Sequence, residues 1–308
     1  MLKDRYLPLT VLTFCMVLLL GGVEGKANFP RQVIDDFGEK VIISKKPQRI
    51  ISLSPANTEI LFAIGAGDKV VGVTTYCDFP LEVKEIDKVG GFATPNVEAI
   101  LAKKPDLVVA SYGNREESVK RLRELGITVV AVYPKTLEDV LNDIKLVGEA
   151  TGYEKGATKL LEKLKKRIDL IRKKSNKIPG EKRPRILYLV WYPELWTAGK
   201  GTFANDLIQI AGGKNIASDI QGWKIISKEV VIEKDPQITF CSGMGENSVI
   251  IKEKILQDAD LQKVSALQSG RVYTISSDIV ERPGPRVVDG LEKISYYIQN
   301  WWEKEQRG

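Results

Sequence analysis

The sequence predicts an α/β protein of two Rossmann-like lobes, each with a central sheet, joined by one long spine helix with a cleft between the lobes. Three observations predict it. Apolar strands alternate with helices in both halves, a single charged amphipathic segment occupies the middle, and one short pattern recurs at matching points of the two halves. The 308 residues exceed one ordinary core and suit two. The expected boundaries are a leader or N-terminal membrane anchor over 1–27, lobes over 28–152 and 179–308, and the spine over 153–178.

The first lobe opens with a hairpin, Val33 to Phe37 and Val41 to Ile43, around Gly38-Glu39-Lys40. After Pro47, Arg49 to Leu53 reads as a buried strand. A helix with Asn57 or Thr58 as candidate cap follows it and stops at Gly65. Strand Val70 to Thr74, helix Val97–Lys103, strand Leu107–Ala110, helix Glu116–Leu125 and strand Val129–Val132 continue the alternation. Such alternation implies a parallel sheet covered on both faces. From Tyr153 to about Asn176, Leu160, Leu161, Leu164, Ile168 and Ile171 form one stripe on a Lys/Glu-rich helix ending before Pro179-Gly180. The second lobe restarts with strand Pro184 to Val190 and helix Asp206 to Ile210 before Gly212-Gly213.

The recurring pattern is a short helix, a proline stop and a strand. Glu98 stands before Ala-Ile-Leu-Ala-Lys-Lys-Pro105, and Glu229 stands before Val-Val-Ile-Glu-Lys-Asp-Pro236. Two similar lobes joined by a helix form a cleft, and ligands bind in clefts between domains.

Composition excludes several classes. The 46 basic and 40 acidic residues leave a net charge of +6, but the charges are interspersed, as on solvated surface and unlike a nucleic-acid footprint. Histidine is absent, which excludes a Ser-His-Asp hydrolase and a His-ligated metal centre; no metal site is expected. Cys15, Cys77 and Cys241 lack CxxC spacing, so buried free thiols are expected. Lys3 and Arg5 precede an apolar run from about Tyr6 to Val23, followed by small residues: an export leader, or an anchor if uncleaved. Either places the body outside the cytoplasm.

The segment Leu53-Ser-Pro-Ala-Asn-Thr-Glu59, the pattern Tyr76-x-Asp78-x-Pro80 after a Val-Gly-Val strand, and the central helix together resemble the helical-spine class of ABC-importer solute-binding proteins. The resemblance runs from about Gln48 to Trp301 and is nearest to the cobalamin-binding members; others of the class carry ferric siderophores and haem. It implies a chain that captures cobalamin or a related corrinoid and delivers it to a permease dimer with its ATPase subunits. The cargo is a ligand, not a cofactor; the free protein would be monomeric, bind no nucleic acid and have no catalytic residues. The alternative cargo is a ferric siderophore or haem.

The resemblance also implies residue roles. Glu98 and Glu229 match the glutamates that dock each lobe on permease arginines. Tyr76, Phe92, Trp196 and Trp223 match cleft aromatics and are expected in loops beside Pro or Gly. Asp278 and Arg282 match polar cleft residues, while Arg286 is expected to be structural. Phe92 replaces a larger indole, and a further aromatic of the cobalamin binders falls near Ser111, beside Tyr112. An anionic siderophore would require converging arginines, for which only Arg282, Arg286 and Arg115 are available. Gly65-x-Gly67 follows a helix, so it fails as a dinucleotide fingerprint, and Gly199-Lys-Gly-Thr202 lacks the spacing of a phosphate loop. A cleft transferase would leave the leader and the paired glutamates unexplained.

Overall fold

The computed structural model describes residues 28–243 and 247–307; the expected leader, with Cys15, lies outside them. The first lobe contains β1 (Arg31–Ile34), β2 (Lys40–Ile43), β3 (Ile50–Ser52), α1 (Pro55–Ala63), β4 (Val70–Val73), α2 (Val97–Ala102), β5 (Leu107–Ser111), α3 (Glu116–Glu124), β6 (Val129–Val132) and α4 (Leu137–Thr151). β1 and β2 pair as the expected antiparallel hairpin. The other four strands form a parallel sheet in the order β4-β3-β5-β6. Every residue of central β5 is buried, which is why Leu107 to Ala110 reads as an unbroken apolar run. α1 starts earlier than expected. Ser54 caps it by accepting from the Asn57 amide at 3.1 Å, and Pro55 takes the first turn, where its missing N–H costs nothing.

α5 (Glu154–Ser175) is the spine, about 33 Å long at 1.5 Å per residue. Leu164, Ile168 and Ile171 are buried on it, and Ala157 and Ser175 extend the same stripe. At its start Gly156 lies so close to the carbonyl of Ile64 that a Cβ would have no room, which sets the approach of spine to α1.

The second lobe contains β7 (Arg185–Trp191), β8 (Leu195–Ala198), α6 (Phe203–Ile210), β9 (Lys214–Asn215), β10 (Trp223–Ile226), α7 (Lys228–Lys234), β11 (Ile238–Gly243), α8 (Asn247–Gln257), α9 (Ser265–Gln268), β12 (Val272–Ser276) and α10 (Val287–Glu305). Its sheet runs β10-β8-β7-β11-β12, with β9 also on β7. The two expected lobes, each with a central sheet, are present, and the second sheet is the more elaborate. β7, β11 and β12 are parallel, but β8 and β10 add an antiparallel edge that has no counterpart in the first sheet.

One hydrophobic core joins the lobes. Ile60 and Leu141 from the first, Leu164 and Ile168 from the spine, and Tyr188 and Leu291 from the second belong to the same buried cluster. On the spine's flank, Arg167 donates to Glu292 at 2.7 Å and to Asp289 at 2.5 Å on α10. Cys77 and Cys241 are buried free thiols, as their spacing implied.

Asp143, on α4, is buried at 1% exposure, and neither carboxylate oxygen has a hydrogen-bond partner among the described residues. Burial, with Asp36 and Asp139 nearby, pushes its pKa up to about 9, so it is a neutral acid at pH 7. A carboxyl whose folded pKa is raised stabilises most below the unfolded pKa, and that contribution is lost as pH climbs toward the folded value. Asp143→Asn, which keeps the shape of the protonated acid, is therefore expected to stabilise the protein by at least ~1 kcal/mol at pH 8 and hardly at all at pH 4. Urea unfolding at the two pH values measures the difference; an equal effect at both would show that Asp143 does not titrate this way.

Candidate functional site

The two lobes enclose an open cavity of about 480 Å³. From the first lobe it is lined by the start of α1, by Tyr76, by the loop carrying Phe92, and by Ser111 and Tyr112 at the end of β5. From the second it is lined by Ser277, Asp278, Glu281, Arg282 and Pro283 in the turn between β12 and α10. The site thus lies at the carboxyl ends of parallel strands in both lobes, where open α/β sheets place ligand crevices.

Four of the six expected ligand contacts, Tyr76, Phe92, Asp278 and Arg282, converge on this cavity. Tyr76 is 54% exposed, a large apolar face turned to solvent. Phe92 lies against Gly113, where a Cβ would collide with its ring. Asn114, which the sequence reading missed, holds that loop in place. Its side-chain amide donates to the carbonyls of Phe92 at 2.7 Å and Leu53 at 2.8 Å, and its oxygen accepts from the Ser111 amide at 2.6 Å.

Trp196 and Trp223 do not line the cavity, and their expected loop placement is corrected. Trp196 sits within β8 and Trp223 opens β10, since Trp and Ile suit a half-exposed edge. The register pairs Trp196 with Ile225 and Trp223 with Ala198, so both indoles share one face of this antiparallel edge, 38% and 37% exposed. The Trp223 ring lies 6.2 Å from that of Tyr188, whose hydroxyl donates to Glu281 in the cavity wall at 3.1 Å. One side chain therefore separates Trp223 from the cleft.

Ion pairs cross between the lobes beneath the cavity. Arg282 grips Asp78 of the first lobe at 2.6 and 3.2 Å and Asp278 of its own loop at 2.9 Å. Arg286 meets Glu59 of α1 in a bidentate pair at 2.9 and 2.6 Å, and its guanidinium stacks 4.2 Å from the centre of the Phe79 ring. Its structural role, expected from sequence, is to tie the lobes. Hydrogen bonding from Arg282 holds the Asp78 carboxyl below its usual range. Burial pushes Glu59 up in spite of Arg286. Three carboxylates, Glu59, Asp78 and Asp278, take up the two arginines here, and Glu281 stands beside them without one, so the floor of the cleft carries no free positive charge to offer an anion. Arg115 stands at the N-terminal boundary of α3, without a side-chain cap bond there, and is not among the cavity's lining residues. Among the described residues no group of three or more acidic or thiol side chains could hold a metal ion.

Glu98 and Glu229 lie outside the cavity, both exposed, and they occupy the same position in their lobes. Each is the second residue of a helix capped by a side chain, Asn96 for α2 and Ser227 for α7. Each helix then ends in a left-handed residue directly before a proline: Lys104 with φ 48° before Pro105, and Asp235 with φ 39° before Pro236. Among the described residues these are the two non-glycine positions with positive φ.

Two lobes on a continuous spine, closing over a cavity with aromatic walls, define a solute-binding clamp. The periplasmic binding protein family model matches residues 50–279, and the chain belongs to that family as a substrate-binding protein of ABC importers. The substrate-binding lipoprotein YvrC of Bacillus subtilis, an uncharacterized ABC transporter component, is 35% identical over 277 residues, spanning 88% of this chain and 86% of its own. The vitamin B12-binding protein of Vibrio cholerae is 30% identical over 254 residues, 82% of this chain and 89% of its own. The structure of the periplasmic heme-binding protein RhuT from Roseiflexus sp. RS-1 superposes with a TM-score of 0.73 at 26% identity, covering 82% of this chain and 98% of that one.

Proposed function

We propose that this chain captures cobalamin or a related corrinoid outside the cytoplasm and hands it to its permease, without catalysing a reaction. The observation that carries this reading is the charge balance of the cleft. Its aromatic wall suits a large flat ligand. Its arginines are already neutralised by Glu59, Asp78 and Asp278, which disfavours a polyanionic ferric chelate and suits a cargo with an amide-rich edge. The similarity to the Vibrio cholerae protein supports the same cargo. The leader expected over 1–27 supports export, and no helix among the described residues is long and apolar enough to cross a membrane.

A second reading, haem or a ferric siderophore, is favoured by the likeness to the Roseiflexus heme-binding protein. Titrating the purified protein with cyanocobalamin, haem and a ferric siderophore, and following tryptophan fluorescence, separates the two. One-to-one quenching by the corrinoid alone is expected; a response to the iron ligands alone would reassign the cargo. The core shared by both lobes and the spine resists wide hinge motion, so loading should change the lobe arrangement little.

A cargo larger than the cavity is expected to extend past Tyr188 onto the half-exposed face of Trp223. Trp223→Ala should weaken corrinoid binding by ~1 kcal/mol or more in calorimetric titration. An unchanged affinity would make Trp223 a packing partner of Tyr188 and nothing else.

A further inference from the structure

Glu281 belongs to no motif that the sequence reading singled out as functional, yet it is the most elaborately held carboxylate in the cavity wall. Tyr188 of β7 donates to its Oε1 at 3.1 Å and Ser242 of β11 donates to the same oxygen at 2.5 Å. Tyr188 is itself wholly buried in the core of the second lobe, so this donor cannot swing away. Both hydroxyls fall on Oε1, and Oε2 has no protein donor among the described residues, although the side chain lines the cavity. No arginine among the described residues engages Glu281: Arg282, its neighbour in sequence, is taken by Asp78 and Asp278. A half-buried carboxylate with one oxygen left open to the cavity is a strong acceptor for a donor that enters it.

We propose that Glu281 is a specificity-determining residue of this cleft, whose free oxygen accepts a hydrogen bond from an N–H or O–H of the cargo while Tyr188 and Ser242 aim it. On the corrinoid reading, on which this rests, the donor is a primary amide of the macrocycle's edge. A cargo that presents only carboxylates to this point is repelled, so the residue selects by rejection as well as by attraction.

The arrangement ties capture to pH. Burial pushes the Glu281 carboxyl up, opposed by Ser242 and Tyr188 and reinforced by Asp278. Only the ionised form is a pure acceptor, so affinity for a donor falls as pH drops through that raised value. The surrounding groups are Tyr188 on β7, Asp278 and Arg282 in the same loop, and, across the cavity, Tyr112, Asp78 and Glu59. Tyr188 and Tyr112 are shifted up and stay neutral; Asp78 is shifted down and stays charged. Glu59 is shifted up and also titrates in acid, so the effect of Glu281 is read as a difference between variants.

The experiment measures cyanocobalamin affinity by calorimetry from pH 4 to pH 8 for the wild type, Glu281→Gln, Glu281→Ala and Tyr188→Phe. Wild-type binding is expected to weaken in acid. Glu281→Ala should lose about 10- to 100-fold at pH 8, the worth of a hydrogen bond to a charged group. Glu281→Gln, which keeps the shape and so the fold, should flatten the acid fall; Tyr188→Phe should weaken binding less and shift the midpoint of the profile. Parallel pH profiles for wild type and Glu281→Gln, or full affinity in Glu281→Ala, would overturn the assignment while leaving the corrinoid reading intact. If the wild type ignores cyanocobalamin, the corrinoid reading falls instead, and the same series is run with whichever of haem or a ferric hydroxamate binds. A profile that strengthens in acid there would show Glu281 opposing its cargo and would overturn the proposal too.

Discussion

Replacing Arg286 with leucine is expected to destabilise the protein by about 3–5 kcal/mol at pH 7, the loss typical of breaking a buried ion pair from one side. Its partner Glu59 has a side chain only 2% exposed and would be left charged and unpaired inside α1. The nearest substitute, Arg282, stands 3.9 Å from the same carboxylate and is committed to Asp78 and Asp278. The deficit should shrink with acid. Burial already raises the folded pKa of Glu59 against the pull of Arg286, and removing the arginine raises it further. A raised pKa makes the group's contribution greatest below the unfolded value and smallest above the folded one, so the variant recovers as pH falls. The double variant Glu59→Gln with Arg286→Leu should regain much of the loss, because no charge remains buried. Urea unfolding at pH 7 and pH 5 measures all three; a deficit under about 1 kcal/mol, or one insensitive to pH, would mean that water reaches Glu59 once the arginine is gone.

That pair also marks the limit of what sequence alone discloses. Glu59 and Arg286 are 227 positions apart, and no local pattern links them. Signals that act within a few residues were legible. The spine's apolar stripe, the strand runs of β5 and β7, and the helix-proline-strand repeat all depend on neighbours along the chain. The start of α1 was misplaced by competing local cues, since Ser54, Asn57 and Thr58 are all good caps and Pro55 decides among them. The β8–β10 edge was not legible, and with it the placement of Trp196 and Trp223. β8 and β10 are four residues each, joined through α6 and β9, and their pairing is a tertiary event. Glu281 was missed for the same reason: its donors come from β7 and β11, 93 and 39 positions away. The cleft's first-lobe side, built from loops directly after strands, was easier to find than its second-lobe side.

Reversing charge at Glu98 and Glu229 together, by Glu98→Arg with Glu229→Arg, is expected to abolish uptake of the cargo while leaving its affinity within about twofold. Neither residue lines the cavity, so ligand capture has no reason to change. The fold should tolerate both changes. Each side chain is exposed, and a positive charge in the first turn of a solvated helix is only weakly opposed by the helix dipole. A carboxylate so close to a helix start is commonly a dipole partner and no more, and Glu229, held low by bonds from its own backbone and from Ser227, fits that description by itself. What the dipole does not explain is the equivalence of the two lobes. A left-handed residue before proline, a side-chain cap and a glutamate at the second helical position recur together in lobes whose sheets otherwise differ. In both lobes a side-chain cap starts the helix and a left-handed residue before proline ends it, so the glutamate stands at the same point of the same short helix in each. A permease made of two similar subunits would meet one such carboxylate per subunit, and each single reversal should then impair transport partially. Transport assays with radiolabelled cobalamin in cells carrying each variant test this against calorimetry on the same purified proteins. Undiminished uptake by the double variant would return both glutamates to the role of helix partners and leave the likeness of the two helices a consequence of folding alone.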